Sequence, residues 1–257
     1  MVKKKTVLLT NDDGIHAKGL HALIDAFHKH YHVVVVAPDI ERSAASHSIT
    51  LIHPLRVHEV FLGNGIRAFA VNGTPADCVK IAVRELFLSN VPDLVVSGIN
   101  AGANIGIYVH YSGTVAAAKE SSMYGIPSIA VSLDRSDNEP DYQPPAKFTL
   151  SIAEQALTHG LPYGTLLNIN FPSVSLDTIP GVMITKHGIS PVNDSFQKSI
   201  DPRKTPYYWH GADAKIDATD IQTDCGALYR NYITITPILC DMTDVNMLES
   251  LRSWNIP

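Results

Sequence analysis

The chain has 257 residues, a net charge of −5, 45% hydrophobic and 18% charged residues, the composition of a soluble globular protein with room for one α/β domain and an appendage. The acidic balance excludes a nucleic-acid binder, which needs a basic face, and no stretch approaches the roughly 20 apolar residues of a membrane span. Val7-Leu8-Leu9 behind Lys3-Lys4-Lys5 is too short for a secretory core of roughly 7–15 residues, so a cytoplasmic protein is expected; Cys78, Cys225 and Cys240 are odd in number and far apart, as packing residues would be.

Lys5–Thr10 predicts a short apolar strand that runs straight into Asn11-Asp12-Asp13-Gly14. Leu20, Leu23, Ile24 and Phe27 then make one apolar helical stripe. His32–Pro38 is a β-branched run suited to a strand buried on both faces of a parallel sheet, and further strands are expected near Ile49–Phe61 and Ile66–Asn72. Thr74 and Pro75 fit the N-cap and first position of a second helix, with Asp77 near its positive end and Val79, Ala82, Val83 and Leu86 facing inward. Pro92–Ile99 reads as another buried strand ending at Asn100, followed by a glycine-rich loop, a helix from Gly113 to Tyr124 and a strand at Ser128–Leu133. A polar loop, Asp134–Pro145, leads to a helix near Ala146–His159 and a strand at Leu166–Phe171.

This alternation predicts an α/β fold, a Rossmann-like, doubly wound, mostly parallel sheet whose strand-to-helix loops gather at the carboxyl edge. The rhythm changes after Gly181, which divides the chain into a catalytic core, 1–181, and an oligomerisation region, 182–257. Strands are expected at Val182–Lys186 and Tyr232–Ile238, separated by about 40 polar, aromatic, helix-poor residues, too many for a structureless loop. They predict an extended hairpin, near Ile189–Tyr229, that packs on a second subunit through Tyr207, Tyr208 and Trp209. Asp244–Trp254 is the final helix, with Met247, Leu251 and Trp254 on one side.

Asp12 and Asp13 follow the first strand directly, where their charges repel unless something offsets them. Asn-Asp-Asp-Gly fits two readings, a turn that caps the next helix or a carboxylate pair for a hard cation. The loop after the second strand, Asp39–Ser48, lies beside it. There Ser43 offers a neutral oxygen, and Arg42 or His47 faces an anion. Asn100 ends its strand at the same edge, within reach of a metal, and Gly98, Gly102 and Gly106 let backbone approach a ligand. Ser112 and Thr114 put hydroxyls at a helix N-terminus, which favours phosphate; alternatively Ser112 is only an N-cap and the glycines only turns. Asn168 and Asn170 suit edge or interface positions, and the remaining histidines lack metal-ligand spacing.

Taken together, Thr10–Gly14, Ala37-Pro38-Asp39, Glu41–Ala44, His47-Ser48, Gly73–Cys78, Ser97–Asn100 with Gly102, Asn104 and Gly106, and Tyr111–Val115 resemble the SurE family of nucleotidases. Leu167–Asn170, Asp201-Pro202-Arg203, Tyr208-Trp209 and Ile235-Thr236-Pro237 continue the match over nearly the whole chain. The resemblance implies hydrolysis of nucleoside 5′- and 3′-monophosphates, and in some members of short polyphosphates, with Mg²⁺ or Mn²⁺. It implies metal ligands Asp12, Asp13, Ser43 and Asn100, and a phosphate held by Asn104, Ser112, Gly113 and Thr114, with Asp12, Asp13 and Asn104 carrying the catalysis. It also implies a homodimer or homotetramer that exchanges the C-terminal hairpin and final helix. One departure stands out: a histidine that relatives often carry two residues after the proline of the last strand, considered a proton donor, is here Leu239. His47, His110 or a metal-bound water are the remaining candidates. A phosphorylated receiver-like signalling domain shares the acidic pair but needs an acceptor aspartate where this chain has Asn100, and a dinucleotide-binding regulator needs a G-x-G-x-x-G after the first strand.

Overall fold

Uninterrupted apolar runs at the start of the chain become strands covered on both faces. These are β1 (Thr6–Thr10) and β2 (His32–Pro38), joined by α1 (Lys18–Phe27), whose buried face carries Leu20, Leu23, Ile24 and Phe27 as the spacing predicts. The computed structural model describes residues 4–63, 65–135, 139–190, 195–211 and 217–256. Lys3 of the basic run, residues 136–138 of the polar loop, and residues 191–194 and 212–216 of the expected hairpin lie outside the described residues.

Next come β3 (Val57–Phe61), β4 (Arg67–Val71) and α2 (Pro75–Ile81), which runs on as a π-helical turn over Ala82–Leu86. The strand expected over Ile49–Phe61 is confined to its second half. Pro54 has no N–H for a ladder, and the backbone at Ser48 and Thr50 is taken by Thr74 and Asp77. The cap of α2 is as predicted. The Thr74 hydroxyl accepts from the Asp77 N–H at 3.1 Å and the Asp77 carboxylate accepts from the Thr74 N–H at 3.0 Å.

The second half contributes β5 (Leu94–Ala101), α3 (Gly113–Met123), β6 (Ser128–Leu133), α4 (Gln143–His159) and β7 (Thr165–Phe171). β8 (Val182–Ile184), β9 (Phe196–Ile200), β10 (Pro206–His210), α5 (Asp224–Leu228), β11 (Ile233–Leu239) and α6 (Val245–Arg252) complete the chain. The nine-stranded sheet has the order β3-β4-β2-β1-β5-β6-β7-β11-β8. Its six central strands, β4 to β7, are parallel and follow the doubly wound order, while β3 runs antiparallel to β4, and β11 runs antiparallel to β7 and parallel to β8. One core lies between the sheet and α1 with α4, the other between the sheet and α2 with α3. Strand order reverses between β1 and β5, so the loops leaving them diverge and open a crevice at the carboxyl edge.

The region after Gly181 divides in two. β8 and β11 extend the main sheet, whereas β9 and β10 form a separate antiparallel pair that exposes Tyr207, Tyr208 and Trp209. The expectation that Ile189–Tyr229 leaves as one excursion is corrected at its far end. α5 is buried throughout and packs Cys225 and Leu228 on Ile105 of the same chain.

Candidate active site

The crevice is a cleft of about 720 Å³, within the range of small-molecule sites. Asp12, Asp13, Ser43, Asn100, Asn104 and Ser112 all line it, with Glu41 beside Ser43. Four segments converge here. The loop after β1 carries the two aspartates, and the loop after β2 is held over them by the Arg42 N–H on the Asp12 carbonyl at 2.7 Å. That second loop is also tied to the segment that leads into α3, where the Ser46 hydroxyl donates to the His110 carbonyl at 2.7 Å. Asn100 is the penultimate residue of β5, and Ser112 caps α3 by accepting from the Val115 N–H at 3.0 Å.

Asp12 is buried, and the Thr114 hydroxyl donates to its carboxylate. Burial pushes the Asp12 pKa up, and the Thr114 hydroxyl and backbone amide only partly offset this. Asp13 is pushed up to about 6, first by burial and then by the charge of Asp12. Gly113 is required for this closeness, since a methyl group there would stand 2.8 Å from the Asp12 Cβ and 2.9 Å from its Oδ2. The start of α3 therefore holds Asp12. The Thr114 hydroxyl, assigned to the phosphate from the sequence, is instead committed to this carboxylate, and Gly113 and Thr114 stand behind the cleft wall rather than on it.

A family model, Survival protein SurE, matches residues 7–194. The chain belongs to the SurE family. The 5′-nucleotidase SurE of Desulfatibacillum aliphaticivorans is 47% identical over 250 residues, covering 97% of this chain and 98% of the relative. That of Syntrophobacter fumaroxidans is 45% identical, covering 97% and 99%. The crystal structure of the SurE protein from Aquifex aeolicus superposes with a TM-score of 0.83 at 36% identity, covering 96% of this chain and 98% of that one.

In this SurE fold the residues expected to hold a metal are all oxygen donors: two carboxylates, a hydroxyl and an amide. The Asn100 Nδ2 donates to the Gly102 carbonyl at 2.6 Å, which leaves Oδ1 for another partner. The Ser43 hydroxyl donates to Glu41 at 2.6 Å, so its lone pairs are likewise available. Two adjacent carboxylates with raised pKa values and neutral oxygens beside them fit a hard divalent cation.

The loop between β5 and α3 is fixed by residues that sequence reading placed elsewhere. Asn168 and Asn170, expected at an edge or interface, are fully buried on β7. The Asn170 Oδ1 accepts from the Asn104 N–H at 2.7 Å, and the Asn168 Nδ2 donates to the Asn104 carbonyl at 2.8 Å. The Asn104 side chain donates to the Ser132 hydroxyl at 2.9 Å. Asp224 of α5 accepts from the N–H groups of Gly106 and Gly188 at 3.1 and 2.9 Å, clamping the far end of the loop. Period-two spacing in β7 was the only sequence signal for the asparagines; α5 is too short to leave one.

Arg42 and His47 do not face the cleft. The Arg42 guanidinium donates to the Asn72 carbonyl at 3.3 Å, and the His47 Nε2 lies 2.8 Å from Glu120. Cys225 does line the cleft. Burial and then the charge of Asp224 push its thiol up to about 12, so it stays neutral, and the other two cysteines are free thiols as well.

Proposed function

We propose that this protein hydrolyses nucleoside monophosphates to nucleoside and phosphate, acting on 5′ and also 3′ esters, with short polyphosphates as further substrates. One Mg²⁺ or Mn²⁺ per subunit is held by Asp12, Asp13, Ser43 and Asn100. The observation that carries this reading is the buried, mutually repelling pair Asp12 and Asp13, at the switch point of the sheet, facing the amide of Asn104 and the hydroxyl of Ser112 across one cleft. The relatives named as 5′-nucleotidases support it over nearly the full chain.

When bound, the cation supplies Lewis-acid polarisation of the phosphoryl group and acidifies a water. The protein's own contribution is rigid placement. Thr114 fixes Asp12, and Asn168 and Asn170 fix the Asn104 backbone, so the donors facing the phosphoryl oxygens need no reorganisation during reaction. The apolar side of the cleft, formed by Ile105, Leu228 and Tyr229, suits a nucleoside better than free phosphate.

The working assembly is a homodimer or homotetramer. Two features support exchange of C-terminal parts: the aromatic hairpin β9–β10 is exposed, and α6 buries none of its residues although Met247, Leu248 and Leu251 lie along it. Phosphate release from a nucleoside 5′-monophosphate, its 3′ isomer and tripolyphosphate, measured with chelator, Mg²⁺ and Mn²⁺, tests the activity. Release from the 5′-monophosphate that needs the metal is expected. No release under any of these conditions would sink the reading.

A further inference from the structure

The phosphate-holding set implied by the family, Asn104, Ser112, Gly113 and Thr114, carries no formal charge. The cleft itself is acidic, with Asp12, Asp13, Glu41 and Asp134 on its lining. The charge of a divalent cation held by this set would be offset by Asp12 and Asp13, and an incoming phosphomonoester brings about two further negative charges. Among the described lining residues a single side chain is cationic at neutral pH, Arg135, directly after β6.

Arg135 is placed by its surroundings, although its side chain is exposed. Its N–H donates to the Asp134 carboxylate at 2.8 Å, its carbonyl accepts from the Ser173 hydroxyl at 2.8 Å, and the preceding N–H of Asp134 donates to the Phe171 carbonyl at 2.9 Å. The side chain lies across Gly102. A methyl group on Gly102 would stand 3.2 Å from the Arg135 Nε and 3.9 Å from the Asn100 Nδ2, so Arg135 and Asn100 flank the same small volume. Gly102, at φ +131°, leaves that volume open. Among the described residues the guanidinium has no hydrogen-bond or ion-pair partner.

We propose that Arg135 is a phosphate-binding residue of this site, its planar guanidinium donating to non-bridging oxygens of the substrate's phosphoryl group and supplying the positive charge that the other phosphate contacts lack. This rests on the proposed nucleotidase site and adds a charged contact to it. The test is calorimetric binding of inorganic phosphate to the Mn²⁺-loaded protein, beside binding of a nucleoside without phosphate. R135A weakens phosphate binding about tenfold, R135K falls between R135A and wild type because a point charge lacks the bidentate fork, and nucleoside binding is unchanged. Unaltered phosphate affinity in R135A overturns the proposal, as does an equal loss of nucleoside affinity. A wild-type protein that binds phosphate but releases none from nucleotides refutes the nucleotidase reading and leaves the role of Arg135 standing. A wild-type protein that binds no phosphate refutes both.

Discussion

Thr114 donates its hydroxyl proton to the Asp12 carboxylate, joining the first turn of α3 to the end of β1 across 102 positions of sequence. Both residues are buried, so this bond sets the orientation of one of the two carboxylates of the site. Replacing Thr114 by valine keeps the shape and removes the donor, and Asp12 then faces its burial with less compensation. The expected loss is about 2 kcal/mol of unfolding free energy at neutral pH, together with weaker Mn²⁺ binding; Thr114→Ser retains most of both. Urea denaturation and metal titration of the two variants read this directly. A larger loss in the serine variant than in the valine variant would mean that packing of the methyl group, rather than the hydrogen bond, matters at this position.

Asp13 makes the metal-free protein sensitive to pH. Its pKa is raised from 3.8 to about 6 in the folded state, so the native protein holds a proton that the unfolded chain has already released. The stability this contributes is complete below the unfolded pKa and is lost as pH rises through the folded value. The stability of Asp13→Asn relative to wild type therefore increases between pH 4 and pH 6 and levels off above that window. Added Mn²⁺ reverses the order above the window, because it stabilises wild type and has little to bind in the variant. Asp12→Asn and Asp13→Asn both abolish turnover with the fold intact. A variant that binds metal normally and keeps more than about a tenth of the wild-type rate contradicts the assignment.

Strands that are buried on both faces were legible because β1, β2, β5 and β6 leave unbroken apolar runs, and the Thr74-Pro75-Asp77 cap marked the start of α2. That Asp12, Asp13 and Asn100 share one sheet edge was legible because they stand at or just past strand ends, and Ser43, in the loop after β2, lines the same cleft. What was hidden depended on contacts distant in sequence. Nothing local in β7 reveals that Asn168 and Asn170 reach a loop 64 and 66 residues earlier. Nothing local in Thr114 distinguishes a phosphate ligand from a partner of Asp12. Five-residue α5 has no periodicity to read, yet its Asp224 holds two loop amides. The apolar residues Ile49, Leu51 and Ile52 imitate a strand but are exposed in the single chain.

The hairpin gives a prediction about assembly. Tyr207, Tyr208 and Trp209 are 42, 59 and 65% exposed, a row of aromatic surface that a lone chain leaves in water. Changing Tyr208 and Trp209 to serine lowers the mass seen by light scattering at micromolar concentration and leaves the circular dichroism of the core unaltered. The main sheet does not include β9 or β10, so loss of the core signal is not expected. An unchanged mass counts against exchange through this hairpin.

Proton transfer to the leaving nucleoside is the step for which the sequence left three candidates, and the geometry narrows them. β11 runs antiparallel to β7 with Leu239 opposite Thr165, the first residue of β7, whereas the cleft lies past its last residue, Phe171. Six steps along a strand are roughly 20 Å, so position 239 is at the wrong edge to serve the site of its own chain. His47 is engaged elsewhere. Its Nε2 meets Glu120, whose carboxyl would be raised by burial but is held below the usual range by hydrogen bonds from His47 and Lys80. His110 does not line the cleft, and partial burial, then His187 and Lys119, lower its pKa, which disfavours the protonated form that would donate. The expected donor is therefore water. A leaving group that needs no proton separates the cases, since a positioned acid contributes about 10²–10⁴-fold only where protonation is required. His47→Ala and His110→Ala should slow hydrolysis of p-nitrophenyl phosphate and of a nucleoside monophosphate to the same extent, with His47→Ala the slower of the two because it releases the loop carrying Ser43. If either variant slows the nucleotide reaction a hundredfold (roughly) more than the nitrophenyl one, that histidine is the donor and the assignment to water is wrong.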